Sequence, residues 1–361
     1  VTKEDGPLDT LRARIDVLDA EIVARLNERA NCALEIGRIK QGTDQPFYVP
    51  ERERAVFEKL QRCNEGPLTE EGLRAVYREV ISATRALEKP TSVAFLGPRD
   101  TFSHIAALRV FGASAEYHPL PSFNDVFTEV ERMRIDYGVV PVESSVGGGV
   151  SGTLDQFVTT SLKVVNEVLI HVNMNLLSKS PLEEITRVYS KDNALLQCRN
   201  WLRGNLPNAE LHETSSTADA AERAAKEPGA AAIASKLAAE TYGLKILVAH
   251  IEDEPHNFTR FFVMGRQMTK PTGRDKTALI VAIQDQPGAL YNLLLPFADE
   301  GITLTRIESR PSRQKAWEYV FFIDILGHEN DPVLKEALAK VASRALNLKI
   351  LGSFPQASHI D

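Results

Sequence analysis

Thr259 and Arg260 sit in the run His256-Asn257-Phe258-Thr259-Arg260-Phe261, directly ahead of the apolar residues Phe262-Val263-Met264. A hydroxyl and a guanidinium at the mouth of a buried strand need polar partners, because an unpaired charge there is very costly. Two more polar, turn-rich stretches lie upstream, Gly97-Pro98-Arg99-Asp100-Thr101-Phe102-Ser103 and Pro141-Val142-Glu143-Ser144-Ser145. Each follows a short apolar run, where an open α/β sheet presents its ligand-binding edge. Three such stretches in one region predict a cleft for a small polar anion.

A second set of candidates lies near the N-terminus. Residues 8–40 contain no Pro and one Gly, Gly37. At about 100° per residue, Leu11, Ile15, Leu18, Ile22, Leu26, Ala33 and Ile36 fall on one helical stripe, and Arg29 and Lys40 share it. Those two cations lie eleven residues, or roughly 16 Å, apart. Either both snorkel to solvent at the ends of a bundle, or they line a buried pocket for a dianion. Arg12 points roughly 100° away from the stripe and so serves a neighbouring chain better than its own. A helix of about 30 residues spans some 45 Å, too long to bury its stripe within one small domain; a dimer of such helices solves both problems. After a loop at 42–46, a second helix runs to Cys63 and a third from Thr69 to Leu87. On the third, Leu73, Tyr77, Val80 and Ile81 face inward, and Thr84 and Glu88 continue that line. An acid on a buried stripe needs a partner or a proton.

The elements that must position these residues change character along the chain. Lys89-Pro90-Thr91-Ser92 breaks the helix. Beyond it, short apolar runs alternate with helical stretches, an α/β texture. Strands are expected at 93–96, 138–142, 162–165, 172–176, 187–190, 230–233 and 261–264, and helices at 102–111, 123–134, 193–203, 218–226 and 235–242. The last strand returns after a long excursion, which predicts two lobes with a cleft between them. Gly147, Gly149 and Gly152 match GxGxxG, and Glu167 ends a strand-like run 15 residues later, close to a dinucleotide fingerprint. Glu143-Ser144-Ser145-Val146 intervenes between strand and glycines, however, so a flexible loop over a ligand is the reading preferred. Residues 269–275 form a second linker. The remainder reads β-α-β-β-α-β, with strands at 276–283, 302–309, 317–325 and 348–351, the order of a ferredoxin-like sandwich.

Length and composition bound the class. At 361 residues, 43% hydrophobic and 25% charged, the chain is expected to be globular, with two or three domains. A net charge of −7 argues against nucleic acid, which needs a basic face. Three scattered cysteines, Cys32, Cys63 and Cys198, lack CxxC spacing and predict free thiols in a reducing compartment, hence the cytoplasm. No apolar run approaches the roughly 18 residues of a membrane span.

Residues 8–90, through LRARIDVLD, NERA, EIGRIK and PERE, resemble the all-helical chorismate mutase domain, expected to span 1–90. Residues 92–268, through FLGPRDTFSHIAAL, PVESSVGGGVSGTLD, SSTADAA and HNFTRFFVMG, resemble prephenate dehydratase, whose fold is two α/β lobes like a periplasmic binding protein. Residues 276–361 resemble ACT regulatory domains, through Pro287-Gly288-Ala289-Leu290 and Ile307-Glu308-Ser309-Arg310-Pro311. Together they are similar to the bifunctional chorismate mutase–prephenate dehydratases of phenylalanine synthesis, subject to feedback by L-phenylalanine. The resemblance implies a homodimer or larger assembly and neither metal nor cofactor. It puts Arg29, and Arg12 from a partner, on the carboxylates of chorismate. Lys40 would face the ether oxygen, where negative charge develops, with Arg52 supporting the pocket, Glu53 on the ring hydroxyl, and Thr84 and Glu88 closing it. Glu88 donates a hydrogen bond only when protonated. In the dehydratase, the resemblance gives Thr259 the leaving hydroxide of prephenate. Thr101 and Ser103 at a helix N-terminus, with Arg260, are candidates for its carboxylates. Glu143, Ser144, Ser190 and Gln197 complete that cleft. Gly288, Ala289, Leu290, Glu308, Ser309 and Arg310 would bind phenylalanine. Three residues depart from the dehydratase pattern: Asp100 replaces a usual Gly, Ser144 an Asn and Lys191 a His.

Overall fold

The computed structural model describes residues 7–40, 43, 45–284, 286–311 and 319–357; Gly42 and Asp44 of the first loop, and residues 317–318 of one expected strand, lie outside them. The head is three helices, Pro7–Lys40, Pro50–Cys63 and Glu70–Glu88. Pro50 opens the second at the position where a missing N–H costs nothing. Thr69 caps the third by accepting from Gly72 N. Of the stripe on the first helix only Ala33 is buried; Leu11, Ile15, Leu18, Ile22, Leu26 and Ile36 are exposed within the single chain.

The middle region has two sheets. The first runs Glu116–Leu120, Ser92–Leu96, Tyr137–Ser144, Phe258–Gly265, Lys163–His171, with the two-residue strand Gly148–Gly149 paired to Tyr137–Ser144. The second runs Lys245–Val248, Asn175–Ser178, Ala230–Ala234, Arg187–Ser190, Glu210–Glu213. Phe258–Gly265 does return after the excursion, inserting antiparallel between two strands of the first sheet. The expected strand 172–176 is instead a crossing segment ahead of Asn175–Ser178, and the expected helix 193–203 breaks at Cys198 into Asp192–Gln197 and Arg199–Asn205.

The tail is an antiparallel sheet ordered Leu304–Pro311, Tyr319–Leu326, Asp275–Ile283, Asn347–Pro355, with helices Ala289–Asp299 and Pro332–Arg344 on one face. Its other face packs on the first sheet of the middle region. Ile280, Phe322 and Phe354 share one apolar core with Val142, Phe262 and Met264. Tyr48, from the loop of the head, is buried among Phe95, Phe111 and Tyr137 of the middle region. All three parts are therefore joined by core, not only by linkers.

Candidate active sites

Thr259 lies in register with Ser144 on one side and Ile170 on the other. The entry to its strand is clamped by backbone and hydroxyl. Ser145 N donates to Phe258 O (2.8 Å), Phe258 N donates to Ser145 Oγ (2.9 Å), and that hydroxyl donates to His256 O (3.0 Å). Buried Asn257 donates to Gln197 Oε1 (3.0 Å), drawing the second lobe to the same place. Ser144 Oγ accepts from Val146 N and Gly147 N at 3.4 and 3.3 Å, holding the glycine loop. Thr101 caps the helix Phe102–Phe111, with Ser103 buried in its first turn. Ser190 is fully buried and donates to Ile233 O (2.7 Å), so its proton belongs to the second sheet.

Asp100 has φ of 65°, a conformation glycine adopts freely. Its N–H donates to His104 Nδ1 (3.1 Å), and its carbonyl accepts from Ser235 Oγ (3.2 Å) in the other lobe. Burial holds the His104 imidazole below its ordinary pKa, against the pull of the Asp100 carboxylate. Lys191 precedes the helix Asp192–Gln197 without capping it.

Arg260 lies one residue on, and strand alternation turns it to the opposite face. Expected to anchor a substrate carboxylate, its guanidinium is taken up by other groups. Nε donates to Glu167 Oε2 (2.6 Å) and Nη1 to Asp324 in the tail sheet. Glu167 also meets Lys276 Nζ of the tail at 3.0 Å and accepts from Ala357 N at 2.9 Å. Burial alone would raise the Glu167 pKa, but Arg260 and Lys276 outweigh it and hold the carboxyl below its ordinary value. Burial likewise disfavours the Arg260 charge, yet Asp324 and Glu167 push its pKa further up.

Glu143 faces the same way as Arg260, 3.7 Å from its Nη1 and 3.5 Å from Arg306 Nε of the tail. Arg306 in turn pairs with Glu308, which lies 3.8 Å from Arg310. Residues 306, 308 and 310 alternate toward the middle region, while Ile307 and Ser309 are exposed. Glu143, placed by sequence in the cleft, and Glu308 and Arg310, placed at an effector site, thus belong to one ionic seam. Packing accounts for two of the three GxGxxG glycines: a Cβ on Gly149 would overlap the Glu308 carboxylate, and one on Gly152 would meet the Phe123 ring at 2.8 Å. The glycines admit neighbouring side chains. Gly288, with φ of 77°, starts the helix carrying Ala289 and Leu290. Ile283 and Pro311 both pair with Tyr319, so the two expected effector motifs share one end of the sheet, two strand spacings or about 10 Å apart.

In the head, Arg29 Nη1 donates to Thr84 Oγ1 (2.6 Å), and Lys40 Nζ lies 3.6 Å from Glu88 Oε2. Gly37 lets the third helix approach, for a Cβ there would sit 3.1 Å from Glu88 Cβ. Four residues predicted from helical periodicity therefore converge. Arg52 is exposed, and Arg12 pairs with nearby Asp9 (3.4 Å). Seventeen residues from Arg29, it is about 25 Å up the helix. Glu53 pairs with Arg85, a residue the sequence reading passed over. Arg85 is 5% exposed, donates to Phe111 O (2.8 Å), and stacks over Tyr48 and Phe111. A basic residue one position after Thr84 looks like solvent face; Tyr48 of the head's loop and Phe111 of the docked middle region enclose it. Burial raises the Glu53 pKa, with Arg85 and Arg29 opposing.

Comparison with known proteins follows the same division. Family models match at 11–89 (chorismate mutase type II), 93–269 (prephenate dehydratase) and 277–343 (ACT domain). The chain is 48% identical over 355 residues to the bifunctional chorismate mutase/prephenate dehydratase of Aquifex aeolicus, covering 97% of this chain and 98% of that protein. Among solved structures, it is similar to the prephenate dehydratase of Arthrobacter aurescens in complex with L-Phe. That match has 36% identity and a TM-score of 0.69, over 73% of this chain and 90% of the other. The Staphylococcus aureus prephenate dehydratase matches at 28% identity and a TM-score of 0.65, over 73% of this chain and all of that one.

Proposed function

The chain belongs to the bifunctional chorismate mutase/prephenate dehydratases, and from that premise we propose which residues carry each reaction. The enzyme rearranges chorismate to prephenate, then dehydrates and decarboxylates prephenate to phenylpyruvate. We place its domains at 1–90, 92–268 and 276–361.

In the mutase, Arg29 and Arg12 of the partner subunit bind the two carboxylates. Lys40 meets the ether oxygen as its C–O bond breaks and negative charge grows there. Thr84 positions Arg29, Glu53 takes the ring hydroxyl, Arg52 supports the rim, and protonated Glu88 donates to the ether oxygen. The observation that carries this reading is the convergence of Arg29, Thr84, Lys40 and Glu88. The exposed apolar stripe of the first helix and the distance of Arg12 from the pocket favour a homodimer.

In the dehydratase, the bond from the ring to its carboxylate breaks and carbon dioxide leaves. The electron pair enters the ring, which becomes aromatic as the C–O bond to the hydroxyl breaks. Thr259 donates a hydrogen bond to the departing hydroxide, which then takes a proton from solvent to become water. Thr101 and Ser103 bind a carboxylate at the helix N-terminus, and Gln197 brings the second lobe over the substrate. Arg260 and Glu143 join this domain to the tail. Both reactions run in the cytoplasm without metal or cofactor. L-Phenylalanine, bound by the Arthrobacter relative, acts here as feedback inhibitor at the Gly288–Leu290 helix start with Ser309.

The test is purified protein incubated with chorismate alone. Thr259→Ala should accumulate prephenate without phenylpyruvate, and Arg29→Ala should fail on chorismate but convert supplied prephenate. Equal loss of both activities in either folded variant contradicts this division of labour.

A further inference from the structure

A cavity of about 400 Å³ opens where all three domains meet. Its walls come from the helices Pro50–Cys63 and Glu70–Glu88 of the head, the end of Phe102–Phe111, the edge strand Lys163–His171, and Arg274 with Pro355–Ala357 of the tail. Six arginines line it against four glutamates, Glu53, Glu58, Glu70 and Glu167. Glu53 is committed to Arg85, itself one of the six, which leaves five arginines; Glu167 is committed to Arg260 and Lys276, which do not line the cavity, and this leaves two glutamates. In a chain of net charge −7, this concave surface is locally cationic, and such a cleft concentrates anions.

Arg74 and Arg78 stand one helical turn apart, a spacing that is unfavourable for like charges unless an anion lies between them. Arg74 meets Glu70 only at 3.6 Å, with its guanidinium 5.2 Å over the Phe57 ring; Arg78 uses Nε on Glu79 at 3.1 Å. Their remaining N–H groups, and the whole guanidinium of Arg274, have no partner among the described residues. Phe57, Ile81, Leu169 and Pro355 supply apolar wall. Guanidinium forks match the oxygens of a carboxylate or phosphate two at a time.

We propose that this three-domain junction binds a small organic dianion with an apolar ring, its oxyanions on Arg74, Arg78 and Arg274. The site is separate from the mutase pocket, since Arg29, Lys40, Thr84 and Glu88 do not line it. Arg85 and Glu53 form the shared wall, so a ligand there touches both the helices of the head and the docked tail.

Calorimetric titration of the full-length protein with phenyl phosphate, phthalate and inorganic phosphate tests the site. Binding of at least one aryl dianion in the sub-millimolar range is expected, with phosphate weaker. The preferred aryl probe tells phosphate from dicarboxylate chemistry. Arg74→Ala/Arg78→Ala should weaken it at least about tenfold per lost guanidinium, and Arg274→Ala, from a different domain, should weaken it too. Arg29→Ala should leave it unchanged. No aryl binding, retention in both junction variants, or loss in Arg29→Ala instead would each overturn the proposal; inorganic phosphate binding as tightly would overturn the role of the ring.

Discussion

Replacing Asp324 by Ala removes a carboxylate that is 2% exposed and belongs to the tail, while its partner Arg260 belongs to the dehydratase. Loss of one member of a buried ion pair costs about 3–5 kcal/mol, because the other charge stays behind unpaired. Here the low end applies. Glu167 still holds Arg260 Nε at 2.6 Å, and Glu143 lies 3.7 Å from Nη1. The contact crosses a domain boundary, so the loss falls on docking of the tail and not on either core. About 3 kcal/mol corresponds to a roughly hundredfold rise in the undocked population. Amide hydrogen exchange across 163–171 and 352–357 reads this directly. A Cβ on Gly352 would overlap Val164, and Ala357 N donates to Glu167, so the amides of these segments that are not bonded within their own sheets are covered only when docked. Exchange there should rise about a hundredfold, exchange over 70–81 should not change, and sensitivity to L-phenylalanine should fall while mutase turnover holds. Asp324→Asn, which keeps an acceptor, should show a smaller rise. Unchanged exchange across the seam in folded Asp324→Ala would show that the docking free energy resides elsewhere.

A further prediction concerns pH and another the mutase donor. Glu167 has a depressed folded pKa, so its contribution is present above the unfolded carboxylate value of about 4.5 and is lost as pH falls below it. Melting temperature should therefore drop with acidification through that window, less steeply in Glu167→Gln than in the parent. In the mutase, a protonated Glu88 donates and an ionised one only accepts. Glu88→Gln, whose amide is a donor, should keep mutase turnover, whereas Glu88→Ala should lose most of it; full turnover in folded Glu88→Ala would remove Glu88 from the donor role.

Much of the architecture was readable in the order of residues. The stripe containing Arg29 and Lys40 follows from helical period alone, and Thr84 and Glu88 meet it as the third helix predicts. The return of Phe258–Gly265 into the first sheet follows from its apolar run after the excursion. Short edge strands did not announce themselves: Glu116–Leu120 carries Pro119 and is largely exposed, which only an edge tolerates. Nor did the ionic seam, since Arg260, Glu167 and Asp324 are 93 and 64 residues apart and no local pattern links them. Arg85 was hidden for the same reason, a cation whose environment is made in part by another domain.

Thr259 and Arg260 are neighbours in one strand, yet the strand gives its two faces to different tasks. The guanidinium holds the regulatory domain through Asp324, while the hydroxyl, proposed above to act on the leaving hydroxide, lies on the other face. Pairing with Tyr137–Ser144 shifts register between Arg260 and Phe261, so Arg260 meets Glu143 while Phe261 meets Pro141. Val142 is the extra residue, and pairing resumes offset by one beyond it. A single deletion between 256 and 259 would turn each side chain to the wrong face; a double deletion would preserve the alternation and move both along the strand. The proposed reacting hydroxyl and the anchor of the tail thus alternate along one strand of eight residues, and a frame error of one position would disturb both together.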